Sequence, residues 1–287
     1  MASFFKYKVI KYYTDSFLDY RLTWFTRNSL GMHYGYWDKG VRSHTQALER
    51  INKVISDKLK LSKEDLVLDA GSGLGGSCFW IAKNIGCKIT GITITPDQVL
   101  RAKKYAIQKK LDQNVEFVEG DYTKTTFPSS SFDAILALET VCHLEDKADF
   151  YKEMFRILKP GGRLLVGEYS LSKNLSKKEE NLLNKWLSGW VIPNIWSKEQ
   201  HFKAIKKLGF KNTKIENYSN KTTKSAKRLY LMSLPGIPLY YLLTKLKLRN
   251  KINLGNALSC KYQWETKKKG FWDHTFFYTE KPKKASG

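Results

Sequence analysis

The run Leu66-Val67-Leu68-Asp69-Ala70-Gly71-Ser72-Gly73-Leu74-Gly75-Gly76 decides how the chain reads. Three apolar residues of strand type lead into an acid and a loop with four glycines. Cys78-Phe79-Trp80-Ile81-Ala82 then resumes at helical spacing, so the stretch is strand, glycine turn, helix. Glycine reaches positive φ at no steric cost and admits a ligand close to the backbone. The free N–H groups that open the helix offer donors to an anionic or polar group. This is a nucleotide-binding turn. Gly71, Gly73 and Gly76 also satisfy the dinucleotide fingerprint, so the turn alone leaves two cofactor classes open.

Outward from this turn the chain alternates. Lys88 to Ile94 is a strand, Pro96 to Lys110 a helix, Val115 to Val118 and Phe132 to Leu138 strands, Lys147 to Leu158 a helix and Arg163 to Tyr169 a strand, with Lys159-Pro160-Gly161-Gly162 as the turn before it. Strands separated by helices mean right-handed βαβ units and an α/β fold with a parallel sheet. Ligands of such sheets sit at the carboxyl ends of the strands, which gathers residues 69–76, 93–98, 119–122 and 138–143 into one crevice. Upstream, residues 1–30 read as one or two amphipathic helices rich in aromatics, Met32 to Asp38 as an aromatic flap, and Ser43 to Gln46 as the capping box of the next helix. Downstream, a helix from Glu180 to Val191, a capping box at Ser197 and Gln200, a strand through Ile215 and a last strand from His274 to Thr279 are expected.

With 287 residues and 42% hydrophobic content the chain can bury one large core, here divided into a cap (1–60), a cofactor core (61–170) and a lid with completing strands (171–287). The net charge of +23 favours anionic partners or simply a solvated basic surface. Cys78, Cys87, Cys142 and Cys260 show neither CxxC pairing nor metal spacing. Reduced thiols, no metal and a cytoplasmic location without a secretory signal are therefore expected.

An NAD site places an acid about 20 residues beyond the glycines. Asp97 has that distance, but Pro96 and a Thr95/Gln98 capping pair put it in a first helical turn, where an acid is expected for the helix dipole alone. Asp121, directly after the third strand in Glu119-Gly120-Asp121-Tyr122, is the stronger signal: a carboxylate beside a backbone amide there matches the N6 and N1 of an adenine.

At this point the residues carry a resemblance. Val67 to Gly76, Glu119-Gly120-Asp121, Phe132-Asp133-Ala134-Ile135 and Leu158-Lys159-Pro160-Gly161-Gly162-Arg163-Leu164 together resemble class I S-adenosylmethionine-dependent methyltransferases. Within that class, Tyr34-Gly35-Tyr36-Trp37 and Gly91 to Gln98 resemble the subgroup of sterol and tocopherol C-methyltransferases and cyclopropane fatty-acid synthases, over roughly residues 31–170. The resemblance implies a Rossmann-like, doubly wound, mostly parallel seven-stranded sheet with a helical cap and a C-terminal lid. It implies S-adenosylmethionine as cofactor, with Asp69, Gly71, Ser72 and Gly73 along its methionine and ribose, and Thr93 with Gln98, next to Thr95, in place of an acidic ribose ligand. Tyr34, Tyr122 and Leu138 complete the cofactor set, aromatic faces tolerating a sulfonium cation.

Glu139 and His143 follow the fourth strand as candidate catalytic residues, a carboxylate to face developing positive charge and a base to take a proton; equally, Glu139 fits a cofactor contact and His143 a turn cap or packing residue. His33, His44, His201 and His274 read as surface or packing residues. Tyr36, Trp37, Trp190 and Trp196 are candidates for the acceptor pocket, although Trp186, Trp190, Trp196, Trp264 and Trp272 equally fit a core. The expected reaction is methyl transfer to a small lipophilic or amphipathic acceptor of isoprenoid, lipid or natural-product type. The alternatives are cyclopropane formation on membrane acyl chains and, less favoured, RNA methylation. No nucleic-acid partner is expected, because the fourth strand lacks the Asn/Asp-Pro-Pro-aromatic turn of amino-directed base methylation. Residues Leu229 to Leu243 form the most apolar stretch, broken as a helix by Pro235 and Pro238 and followed by Lys245, Lys247, Arg249 and Lys251. It reads as a lid over the acceptor pocket, with peripheral membrane contact as the alternative.

Overall fold

A computed structural model of the chain describes residues 2–26 and 29–283; Met1, Arg27, Asn28 and 284–287 lie outside the described residues. Helices α1 (Ala2–Asp15), α2 (Phe17–Thr23) and α3 (His44–Leu59) precede strand β1 (Leu66–Ala70). The βαβ series follows as α4 (Gly76–Ile85), β2 (Lys88–Thr93), α5 (Pro96–Gln108), β3 (Val115–Glu119), β4 (Phe132–Leu138), α6 (Ala148–Ile157) and β5 (Leu158–Leu171). The chain ends with α7 (Lys177–Gly189), α8 (Lys198–Lys207), β6 (Lys211–Asn217), α9 (Ser219–Lys245), α10 (Lys251–Lys268) and β7 (Trp272–Glu280).

The seven strands lie in the order β3-β2-β1-β4-β5-β7-β6. All pairings are parallel except those of β7, which runs antiparallel to β5 and β6. Buried aliphatic and aromatic residues of α3, α4 and α5 cover one face, and α6 and α8 cover the other, so β1 is apolar on both sides as a central parallel strand must be. The order reverses between β1 and β4, which sets a crevice at their carboxyl ends.

Three local expectations are corrected. The Lys159 to Gly162 turn is absorbed into β5: Leu158 pairs with Phe132 and Arg163 with Ala134, and the residues between bulge out of register. Neither half of the Thr95/Gln98 capping box forms: the Thr95 hydroxyl has no partner among the described residues, and the Gln98 Oε1 accepts from the Thr93 hydroxyl at 2.8 Å. Pro235 and Pro238 do not break α9, which runs through both. Both prolines lie on the exposed side, where carbonyls that lose their helical N–H partner are hydrated at low cost.

A third apolar cluster joins the cap to the C-terminal helices. Trp186 is fully buried at its centre, with ring centroids 4.8 Å from Trp272, 5.2 Å from Tyr169 and 5.8 Å from Trp190. Trp190 and Trp272 are core residues here too, each packing on Trp186. Trp186→Ala is expected to cost about 3–5 kcal/mol in chemical denaturation, as for other aromatic cavities. A loss below about 1 kcal/mol would show that the cluster is not a packed core.

Candidate active site

A cavity of about 290 Å³ opens at the carboxyl ends of β1, β2 and β4. Its floor is the glycine turn. Gly71 (φ +94°) and Gly73 (φ +54°) take the left-handed conformation, and a Cβ on Gly71 would strike the Thr140 side chain. Asp69, Gly71, Ser72, Gly73, Thr93, Thr95, Gln98, Asp121, Tyr122 and Leu138 all lie on the cavity wall, as the sequence led us to expect. Tyr34 does not: it is fully buried behind the wall, its hydroxyl with the Gln263 amide and its ring against Trp24, Tyr169 and His274.

The wall fits a nucleoside bearing an amino acid. Burial pushes the Asp69 carboxyl up to about 7; the Cys78 thiol donates to it at 3.3 Å and opposes the shift. Such a group gains from a neighbouring ammonium. The Ser72 and Thr95 hydroxyls are buried without partners, so polar ligand atoms would satisfy them. Thr93 holds the Gln98 oxygen, which leaves the Gln98 amide as donor. Asp121 accepts from the Thr123 N–H at 2.8 Å and hydroxyl at 2.7 Å and is ion-paired with Lys6 of α1. Burial raises its pKa, but Lys6 and Thr123 outweigh that and hold it below the usual carboxylate range.

The far end of the cavity is closed by α1, through Phe5, Lys6, Val9 and Tyr13, and by Leu30, Met32 and His33. Tyr36, Trp37, Trp190 and Trp196 are not on this wall. Tyr36 stacks on Tyr218, Trp37 donates to Ser225, Trp190 packs on Trp186 and Trp196 packs edge-on against His201. Nor does the Leu229 to Leu243 stretch reach it; the lid over this cavity is α1.

Glu139 and His143 both line the cavity, each held by its own set of partners. Glu139 sits at φ +52°, a conformation costly for a residue with a Cβ, and its carbonyl-side turn leads into the short helical turn Val141–His143. Its carboxyl accepts from the Tyr34 N–H (3.0 Å) and the Tyr169 hydroxyl (2.9 Å) and lies 3.5 Å from the ring of His274, which packs on the aromatic core rather than the surface. Burial raises the Glu139 pKa to about 8 against those two donors. His143 lies between the Val191 carbonyl, 2.9 Å from Nδ1, and the Tyr13 hydroxyl, 2.9 Å from Nε2. A carbonyl only accepts, so Nδ1 carries the proton and Nε2 receives the Tyr13 O–H. Val191 presents that carbonyl from φ +53°, strained for a β-branched residue. Burial lowers the His143 pKa to about 4, with Lys147 adding to it and the Val191 carbonyl opposing, so the ring is neutral near pH 7.

Sequence reading missed Tyr13 and His33 as wall residues, while His274 is the packing residue it was read as. Only Tyr13 had a signal, its place among the N-terminal aromatics, and nothing local placed it opposite a histidine 130 positions away.

Residues 68–166 match a family model described as a methyltransferase domain. The matched segment carries the glycine turn and Asp121, and the sheet order is the one expected of a class I S-adenosylmethionine-dependent methyltransferase core. Beyond the class, the chain resembles sterol 24-C-methyltransferase of Saccharomyces cerevisiae, at 30% identity over 181 residues, 62% of this chain and 47% of that protein. It is also similar to erythromycin 3''-O-methyltransferase of Saccharopolyspora erythraea, at 29% identity over 65% of this chain and 63% of that one. The chain spans about half the length of the sterol enzymes it matches. The [4+2]-cyclase SpnF shares the fold at TM-score 0.75 and 22% identity, covering 97% of this chain and 94% of its own. A cyclase on the same scaffold means that the reaction must be argued from the site.

Asp121→Ala is expected to weaken S-adenosylhomocysteine binding by about 1–3 kcal/mol in calorimetry, the cost of one lost buried hydrogen bond. Unchanged affinity would remove Asp121 from the cofactor wall.

Proposed function

We propose that the chain transfers a methyl group to a small lipophilic or amphipathic acceptor drawn from a membrane or lipid pool, and that His143 with Tyr13 handles the acceptor's proton. The observation that carries this reading is the Tyr13–His143 pair at the boundary between the cofactor wall and an apolar chamber of Phe5, Val9, Leu30 and Met32. S-adenosylmethionine supplies an activated sulfonium methyl when bound. The protein's work is then to align the acceptor and exclude water.

The residues divide that work. Asp69, Ser72, Gly71 and Gly73 take the amino-acid and ribose end of the cofactor, Thr93, Thr95 and Gln98 its hydroxyls, and Asp121 its base. The α1 helix covers the acceptor and excludes water. His143 takes a proton at Nε2, directly or through the Tyr13 hydroxyl, and the Val191 carbonyl then holds the imidazolium by its Nδ1–H. Glu139 fixes the turn and the Tyr34 segment through its two hydrogen bonds. Glu145, Asp146 and Asp149 on the cavity rim disfavour acceptors bearing phosphate chains, which supports the choice against nucleic acid.

Release of S-adenosylhomocysteine in the presence of a total lipid extract tests this. Tyr13→Phe and His143→Ala are expected to lower kcat by about a hundredfold or more, the range of a positioned base, with little change in cofactor affinity. Near wild-type kcat in both variants would discard the pair as a proton-transfer device.

The pH profile separates the two candidate bases. His143 titrates at about 4, so a rate that depends on it is level from about pH 6 upward. Glu139 becomes a carboxylate only above about 8, so a rate that needs its charge keeps rising through pH 8. The level profile is expected; a rise that Glu139→Gln abolishes would transfer the role to Glu139.

A further inference from the structure

Helix α9 is amphipathic in the wrong sense for a helix on a globular protein. Its inward side in the first half carries Thr222, Ser225 and Ala226, and further along Leu229 and Ser233, all buried. Tyr240 turns its hydroxyl inward to Asp19. The outward side of the second half is apolar: Leu231, Leu234, Leu239, Leu242 and Leu246 are 50%, 44%, 53%, 54% and 56% exposed, with Pro235 and Pro238 also exposed between them at helical spacing. A soluble helix normally turns such a stripe to its core. An exposed apolar stripe of this length requires an apolar partner.

Charge identifies the partner. From Asn217 to Trp264 the chain has nine lysines and arginines and no aspartate or glutamate. Exposed Lys224 and Lys227 precede the apolar stripe, and exposed Lys245, Lys247 and Lys251 follow it. A basic, apolar, basic order along α9 and the turn into α10 suits a surface that is anionic at its headgroups and apolar beneath. Its interior is apolar but it is not a spanning element: no helix among the described residues is long and apolar enough to cross a membrane. The helix is also placed to serve the cavity. Its C-terminal end and the start of α10 meet the junction of α1 and α2, where Tyr240 and Arg249 reach Asp19, and Asn250 and Asn253 reach Asp15. Helix α1 is the segment that closes the acceptor chamber.

We infer that the outward face of α9 docks the protein on an anionic lipid bilayer, with the apolar stripe in the interface and the flanking lysines on headgroups. Bound there, the α1–α2 junction is brought beside the bilayer from which a lipophilic acceptor enters. The docking surface deepens the proposed function, but its test reads binding rather than turnover, so failure of either is seen separately.

The full chain is floated with vesicles of phosphatidylcholine alone, or with phosphatidylglycerol as roughly one lipid in four. Co-flotation with the anionic vesicles at low salt is expected, falling several-fold at about 0.5 M salt as the lysine contacts are screened. Lys245→Glu/Lys247→Glu/Lys251→Glu and, separately, Leu231→Asp/Leu242→Asp are each expected to reduce flotation about tenfold or more. Both sets change exposed side chains, and unaltered S-adenosylhomocysteine binding certifies their fold. Four results would overturn the docking surface. These are no flotation with either vesicle, flotation that both variant sets leave intact, retention on RNA without flotation, and a dimer in light scattering that Leu242→Asp dissolves while vesicles bind nothing.

Discussion

Between Gly71 and Thr140 there is no room for a side-chain carbon, and the site depends on that contact. Gly71 belongs to the turn after β1 and Thr140 to the turn after β4, the two strands on either side of the point where the sheet order reverses. Their close approach sets the loop that faces the cofactor against the loop that carries Glu139 and His143. Any residue with a Cβ at position 71 would push the two turns apart, and φ of +94° would strain it further. Helix α1 completes the arrangement from outside the sheet, where Lys6 reaches the Asp121 carboxylate and Tyr13 reaches His143.

Strain is concentrated at the same place. Glu139 and Val191 both occupy left-handed backbone, and each uses it to aim one group: Glu139 its carboxyl toward Tyr34 and Tyr169, Val191 its carbonyl toward His143. Such conformations persist only where the surroundings over-determine them. Here the aromatic cluster around Trp186 and Tyr169 supplies that rigidity, so the C-terminal helices act on the chemistry through packing rather than by lining the chamber.

The parts of the site that follow from local chain geometry were legible in the sequence. The glycine turn, the strand-end positions of Asp69, Asp121, Glu139 and His143, and the alternation of strands and helices all depend on residues close in sequence. What depended on distant contacts was not. Tyr34 resembled a cofactor ligand but is drawn behind the wall by Gln263 and Glu139, and Trp37 is held by Ser225 far from the cavity. Tyr13 and His274 acquire their meaning from partners more than a hundred positions away. Pro235 and Pro238 misled for a different reason: proline disfavours a helix interior without forbidding it, and α9 runs through both with their rings on its exposed side.

The central claim is that this cavity moves a methyl group onto a lipid-soluble acceptor. Incubating the purified chain with S-adenosylmethionine labelled in its methyl group and a total lipid extract, then following the label, tests it most directly. The account predicts label in the organic phase in step with S-adenosylhomocysteine formation, and none from a His143→Ala variant. Label that stays with the cofactor, or that passes instead to water-soluble or nucleic-acid material, would contradict it.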